Sequence, residues 1–379
     1  MLEEIARAVR DARARQGLSP AALAAQARLS PDTLSALEAA HPGVTLSELD
    51  RVAEALQLDP DALADGRAVD RPRASTFFRQ SAWQDFHHDD GATLDAILDQ
   101  CRAFHALGAA MKVKRQLRLQ GVFSPQPVAQ ESPKAASRQG YALARSVRAR
   151  LAALTRHFGD LRALLEGRFD LTVRVVSLRS PVPALSLLDA DRGAAAIVLN
   201  ARDVARRKNP LLDRVHLAHE LCHLLFDETE PGRLHLVLER GDRDGDHAEA
   251  RAKGFAAEFL LPLAGLRELF GLPSAPVRDE ARAVAMIQRA REHFGTPWEL
   301  ATRHLRNHRY IDSDLSAALA EQPLGDAPQG FETSLPSADT APRVVVDRVR
   351  RAWKEQRITD GQARHVLGLP PASPLPFED

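Results

Sequence analysis

The stretch RVHLAHELCHLLFD, at residues 214–227, decides the fold and the chemistry that this chain can support. The apolar run around it predicts a helix from about Leu211 to Phe226. On that helix His219 and His223 lie one turn apart on one face, where two imidazoles can hold one zinc ion. Glu220 lies about 100° further round, where its carboxylate can act as a general base on a water. The pattern predicts a catalytic Zn²⁺ held by His219 and His223.

Chance is the alternative explanation, because His-Glu-x-x-His is short and the chain has 14 histidines. The motif lies in an apolar helix behind a predicted β-hairpin, whereas a chance match is expected on a hydrophilic surface helix. As plain core residues, the two histidines would need hydrogen-bond partners for two buried rings on one face. The context therefore favours the metal.

A catalytic zinc needs a third protein ligand and an open position. The next predicted helix contains EARAKGFAAEFLLP at 249–262, which offers two carboxylates, Glu249 and Glu258. The residues alone leave both open as the third ligand.

These pieces together resemble the ImmA/IrrE family of zinc metallopeptidases, over roughly residues 140–320. The resemblance rests on Ile197–Asn200, on LAHELCH at 217–223 and on the spaced pattern from Glu249 to Pro262. It implies that Glu249 is the third zinc ligand, and that Glu258 is an exposed or helix-pairing carboxylate. The resemblance also implies regulated proteolysis of a transcriptional repressor, in stress, DNA-damage or mobile-element and defence regulation.

Two features depart from the family pattern. Cys222 replaces the usual Gly, and the spacer Thr229–Asp246 is long and charged. Cys222 could be a redox-sensitive thiol beside the metal, but a small packed core residue is favoured.

Three β-rich runs precede the zinc helix, at Leu171–Leu178, Ala184–Ala190 and Ala194–Asn200. The last two flank Asp191-Arg192-Gly193, a tight-turn signal, so we expect them to pair as a hairpin. We expect the last run to be an edge strand on which an extended substrate pairs. The residues expected to form this substrate edge are Ala195, Ala196, Ile197, Val198 and Leu199.

The N-terminal 66 residues predict short, sharply capped helices, with Ser19-Pro20 and Ser30-Pro31 as start signals. Leu23, Ala24, Ala27, Leu29, Ser30, Thr33, Leu34, Leu37 and Glu38 carry a resemblance to the XRE (Cro/repressor-type) helix-turn-helix domain. In that family the helix from Ser30 to Ala40 enters the major groove. The resemblance therefore implies DNA contacts from Ser30, Asp32, Thr33 and Ser35.

The charge of this segment speaks against simple DNA binding. It contains eleven Asp and Glu against six Arg and no Lys, a formal charge of −5. Phosphate neutralisation supplies most non-specific DNA affinity. The alternatives are a protein-docking or dimerisation module, or DNA binding by a homodimer through Arg7, Arg10 and Arg28.

The predicted organisation has five parts. They are a helix-turn-helix domain at 1–66, a helical connector and linker at 67–139, a zinc metallopeptidase domain at 140–322, a linker at 323–343 and a C-terminal helical pair and tail at 344–379. Within the connector, Leu94–Phe104 and Ala109–Leu119 are predicted helices and Gly121–Arg138 a loop rich in Pro, Ser and Gln. The fold class is mainly α with a small β-sheet (α+β), including a zincin-like His-Glu-x-x-His domain.

The overall composition indicates the compartment in which we expect the protein. The formal net charge is zero, and two cysteines are too few for a disulfide framework. No apolar run is long enough to span a bilayer. We expect a cytoplasmic zinc endopeptidase that cleaves a repressor or similar regulator and makes no membrane contact. Two other hypotheses stay open: a DNA-binding regulator whose zinc domain senses without cleaving, and an antitoxin-like binding protein.

Overall fold

The computed structural model divides the chain into two compact units, Met1–Arg73 and Ala74–Asp379. It describes residues 2–56, 58, 63–66, 87–113, 123–189, 194–227, 234–238, 247–320, 331, 341–370 and 372–377. The expected fold class, mainly α with a small β-sheet, is confirmed. No helix in the described ranges has both the length and the apolar character needed to cross a membrane.

The first unit is a small helical bundle. Its helices are α1 (Leu2–Arg15), α2 (Pro20–Gln26), α3 (Pro31–Glu38) and α4 (Leu46–Leu56). Ser19 and Ser30 cap α2 and α3, each with proline at the first helical position, as their sequence signals predict. Arg13 of α1 binds both carboxylate oxygens of Glu38 at 2.6 and 2.9 Å, which fixes α3 against α1.

The second unit surrounds a four-stranded sheet with helices. The strands are β1 (Thr172–Val176), β2 (Ala184–Asp189), β3 (Ala194–Asn200) and β4 (Leu234–Leu238). Its helices before the last strand are α5 (His88–Ala110), α6 (Pro133–Arg150), α7 (Leu161–Phe169), α8 (Val204–Lys208) and α9 (Leu211–Phe226). Those after it are α10 (His247–Leu260), α11 (Leu263–Phe270), α12 (Glu280–Phe294), α13 (Trp298–Asn307), α14 (Ser313–Leu319), α15 (Arg343–Lys354) and α16 (Asp360–Leu367).

The sheet has the order β1-β3-β2-β4. Strands β2 and β3 pair antiparallel, which confirms the predicted hairpin, although its turn at 191–193 lies outside the described residues. Strand β1 runs parallel to β3, and β4 runs antiparallel to β2.

This order makes the predicted substrate edge wrong. Residues 195–199 belong to β3, which hydrogen-bonds to β1 on one side and to β2 on the other. Ala195, Ala196, Ile197, Val198 and Leu199 are also all buried, as expected for an interior strand. Within the described residues the edges of the sheet are β1 and β4.

The loop predicted across Gly121–Arg138 is wrong at its C-terminal end. Ser132 accepts a hydrogen bond from the backbone of Ala135 and begins α6 at Pro133. This is the same Ser-Pro start signal that begins α2 and α3. Most of the predicted helix Ala109–Leu119 lies outside the described residues.

Helices α6, α9 and α10 pack together on the sheet and form the main core of this unit. Two glycines set the distance between α6 and α10. A Cβ on Gly140 would lie 2.6 Å from the Phe255 nitrogen, and one on Gly254 would overlap the backbone of Ser137. The backbones are therefore in direct contact, and this contact fixes the position of α10 relative to α6.

Helices α15 and α16 form the predicted C-terminal helical pair. Val345 and Val349 share a hydrophobic cluster with Phe104 and Leu107 of α5. Most of the predicted linker 323–343 lies outside the described residues.

Candidate metal centre

Helix α9 brings two imidazoles together in the interior. The Nε2 atoms of His219 and His223 lie 3.1 Å apart, and each residue is only 1% exposed. Four-residue spacing on a helix produces this arrangement. The helix has the bounds that the apolar run predicted, Leu211–Phe226.

Glu249, in the first turn of α10, faces both imidazoles. Its Oε2 lies 3.3 Å from Nε2 of His219, and its Oε1 lies 3.5 Å from Nε2 of His223. The structure thus brings together the three residues that the sequence analysis named as ligands. Glu249 is 5% exposed, so the cluster is shielded from bulk solvent.

The donor atoms of this cluster fit a zinc ion. Two imidazole nitrogens and a carboxylate oxygen are donors that zinc and similar divalent ions prefer. Tetrahedral ligands about 2.0–2.1 Å from an ion lie about 3.3–3.4 Å from each other. The three separations in the cluster, 3.1, 3.3 and 3.5 Å, scatter around that value.

A carboxylate orients the second imidazole. Nδ1 of His223 donates a hydrogen bond to Oδ2 of Asp227 at 2.8 Å. Arg251 donates to the other oxygen of Asp227, and also to the Gln126 carbonyl at 2.6 Å. With Nδ1 held by Asp227, the His223 ring turns Nε2 toward Glu249 and His219.

The pKa values of this cluster reflect mutual attraction in a buried place. Burial is the largest influence on the pKa of His223 and lowers it, but Asp227, Glu249 and Glu220 outweigh burial and hold it well above its ordinary value. Burial raises the pKa of Glu249, yet His219 and His223 together bring it far below its ordinary value. The site therefore favours a negative carboxylate facing positive charge.

Glu220 is fully buried beside the imidazole pair. Its charge is among those that raise the pKa of His223 and of the Cys222 thiol, so it lies close to both. This is the position that a carboxylate one residue after His219 must take on a helix.

A cleft of about 390 Å³ reaches the cluster at His219. Its walls come from α6, α9, α10 and α13, with Gly254 and Ala257 among the lining residues of α10. His216, one turn before His219, lines the same cleft. The cleft therefore leads to the imidazole of His219 along α9.

Three site features escaped the sequence analysis. Asp227 and Arg251 carried a local signal, because Asp227 lies four residues after His223 and Arg251 two residues after Glu249. Of the two expectations for Glu258, an exposed carboxylate is wrong, since it is fully buried, whereas a helix-pairing carboxylate agrees with its position facing His304 and His308. Burial of that carboxylate depends on α13, some forty residues further along the chain.

The predicted DNA-contacting residues lie at the start of α3. Ser30, Asp32 and Ser35 are exposed, and Thr33 is half-buried. The Ser30 hydroxyl accepts a hydrogen bond from the Thr33 nitrogen at 3.0 Å and lies 2.8 Å from the Thr33 hydroxyl. The Ser30 hydroxyl therefore caps the helix. Whether the four residues also touch DNA stays a prediction.

Two comparisons with known families agree with this architecture. Residues 170–305 match the IrrE N-terminal-like domain, which is a peptidase family. Residues 4–65 match a helix-turn-helix domain. No curated protein matches the chain. The chain therefore carries a helix-turn-helix domain followed by a peptidase-family domain, and His219, His223 and Glu249 all lie inside the matched peptidase segment.

Proposed function

We propose that this chain is a zinc-dependent endopeptidase in which His219, His223 and Glu249 hold the ion and Glu220 is the general base. The single observation that carries the proposal is the convergence of these three ligands, next to Glu220, at the end of a cleft. The family match supports the peptidase part of this proposal.

The three ligands and the general base have separate roles in the proposed reaction. A zinc ion bound by the three ligands would supply Lewis acidity to the peptide carbonyl and to the attacking water. Glu220 takes a proton from that water and passes it to the leaving amine. Glu220 is fully buried, so bulk water has little access to the proton that its carboxylate takes up and passes on to the leaving amine.

We propose a protein substrate of regulatory type, a transcriptional repressor or similar regulator, cleaved in stress, DNA-damage or mobile-element regulation. The helix-turn-helix domain in the same chain supports this role, because it can dock a regulator or direct the peptidase to DNA. The acidic charge of residues 1–66 favours docking, since net negative charge opposes phosphate binding.

Glu220→Gln tests the proposal in a co-expression assay with the product of a neighbouring repressor gene. We expect wild type to cleave the repressor, and Glu220→Gln to keep its zinc while cleavage falls by at least about 10²-fold. Glu268→Gln, which changes an exposed carboxylate outside the site, is the matched control and should cleave normally.

The outcomes separate the rival functions. Equal cleavage by wild type and Glu220→Gln would refute the base. A chain that holds zinc, changes transcription and leaves every tested regulator intact would favour the sensor hypothesis. A stable complex with the repressor and no cleavage would favour the antitoxin-like hypothesis.

A further inference from the structure

Helix α10 carries a second buried glutamate that faces a second histidine pair. Glu258, in the last turn of α10, is fully buried. His304 of α13 and His308, which caps that helix, are four residues apart, the same spacing as His219 and His223. Oε2 of Glu258 lies 3.4 Å from Nε2 of His304 and 3.5 Å from Nε2 of His308.

These separations are longer than those of a directly hydrogen-bonded ion pair and fall in the range of metal ligands. A charged imidazole bound directly to a carboxylate closes to about 2.7–2.9 Å. Within the described residues, the Nε2 atoms of His304 and His308 and Oε2 of Glu258 make no hydrogen bond of ordinary geometry. Their spacing matches the 3.3 and 3.5 Å of the first cluster.

The surroundings hold the three side chains in place. The other oxygen of Glu258, Oε1, accepts a hydrogen bond from the Leu263 backbone at 3.2 Å and lies 3.6 Å from Arg145. That arrangement turns Oε2 toward the histidines. Such outer partners are a regular feature of metal sites, because they fix the orientation of each ligand.

An aromatic ring positions the two imidazoles. The ring of Tyr141 packs edge-on against His304, with centroids 5.3 Å apart, and lies 5.5 Å from the ring of His308. Asn307 donates to the Tyr141 hydroxyl at 2.9 Å and so anchors that ring to α13.

We propose that Glu258, His304 and His308 form a second metal site, which takes a divalent cation of the zinc class. Two imidazoles and one carboxylate suit zinc and its first-row neighbours, whereas magnesium and calcium prefer oxygen donors alone. His304 lines the cleft and the His308 side chain is 13% exposed, so a fourth position is open to water.

This site is separate from the peptidase centre. Glu249 and Glu258 are nine residues apart on one helix, which is about 13 Å along its axis. Two ions that share a catalytic step lie about 3.5–4 Å apart. A cation at the second site therefore acts as a clamp, joining α10 to α13 across one end of the cleft.

Metal stoichiometry of the full-length chain tests the site, with zinc alone as the probe. After removal of metal and dialysis against zinc, we expect two equivalents in wild type and one in His308→Ala or Glu258→Gln. His223→Ala should also hold one, at the second site, and His223→Ala combined with His308→Ala should hold none. His293→Ala, an exposed histidine outside both clusters, is the control and should hold two.

Thermal unfolding gives a second measurement, in which His223→Ala keeps the second cluster intact and the double variant removes it. Zinc should raise the Tm of His223→Ala and leave the Tm of the double variant unchanged. A ligand raises the Tm only where the folded chain has a site that binds it. Circular dichroism verifies that each variant is folded. One equivalent in wild type, or none in His223→Ala, would overturn the site.

The inference does not depend on the peptidase proposal, and the two can fail separately. Two equivalents of zinc without cleavage would count against the peptidase and leave this site standing. If wild type cleaves but binds one equivalent of zinc, and His223→Ala binds none, the peptidase proposal stands and this site fails. Glu258, His304 and His308 are then only a buried polar network.

Discussion

Asp227 accepts a hydrogen bond from Nδ1 of His223 at 2.8 Å, one helical turn beyond that histidine. Arg251 holds the other oxygen of Asp227 from the neighbouring helix. Asp227 thus connects α9, which carries the two histidines, to α10, which carries Glu249. The carboxylate both orients a ligand and couples the two helices that form the centre.

Asp227→Asn should weaken zinc binding at the first site by about 10–100-fold, because the amide can hold the ring but lacks the negative charge that makes it more basic. Competition against a chelating dye measures the affinity. Asp189→Asn is the matched control, since Asp189 is a buried carboxylate that binds Arg102 at 2.6 Å outside the site. Equal affinity of wild type and Asp227→Asn would contradict this role.

Gly140→Ala should destabilise the second unit by about 1–3 kcal/mol, since the new methyl group has no space between α6 and α10. Its Cβ would overlap the Arg251 carbonyl. Because α10 carries Glu249, we expect weaker zinc binding as well. Urea unfolding and zinc affinity are the two measurements.

Gly167→Ala provides the comparison. Gly167 lies inside α7, and nothing lies within 4 Å of the Cβ that would be added. Alanine is the better helix former by about 0.8–1.0 kcal/mol, so this variant should be more stable than wild type. Equal effects of the two substitutions would refute the close contact as the cause.

The two thiols, Cys101 and Cys222, should resist labelling in the native chain at pH 8. Both are buried, and burial raises the pKa of each. A raised pKa lowers the fraction of thiolate, which is the reactive form, at any pH below it. A thiol-exchange dye should modify neither cysteine until denaturant is added. Rapid modification of Cys222 in the folded state would instead favour the redox-sensitive thiol.

Local patterns sufficed where the information was local. The apolar period and the His-Glu-x-x-His spacing predicted α9 with its observed bounds, and Ser-Pro signals predicted the starts of α2 and α3. The pairing of Glu249 with the histidines required the resemblance, because the sequence between the two helices offered no spacing rule.

Non-local relationships were the ones that failed. Strand β3 was expected at an edge because its parallel pairing with β1, which makes it an interior strand, was not foreseen. Strand β4 was also overlooked inside the charged spacer, although LHLVL at 234–238 is an apolar run. The position of Glu258 depended on which face of α13 turns toward α10. Strand order and helix facing are set by packing between distant segments, and no single stretch of sequence records them.

Strand β4 is the sheet edge beside β2, one of the two edges in the described part of the chain, and the proposed pairing of an extended substrate can be tested there. A proline in β3 would break hydrogen bonds to two neighbouring strands, so the variant should neither fold nor hold zinc. In β4, alternate backbone N–H groups face β2 or point away from it. Leu236→Pro and Val237→Pro each remove one N–H group, and because the two residues are neighbours, one of these groups faces β2 and the other points away from it.

One of these two proline variants should keep its circular dichroism and zinc content while losing cleavage, because it removes only an outward hydrogen-bond donor. The other should weaken the sheet itself. Alanine at the same two positions controls for the lost side chains and should preserve cleavage. If both proline variants fold, hold zinc and cleave at the wild-type rate, the substrate does not pair with β4.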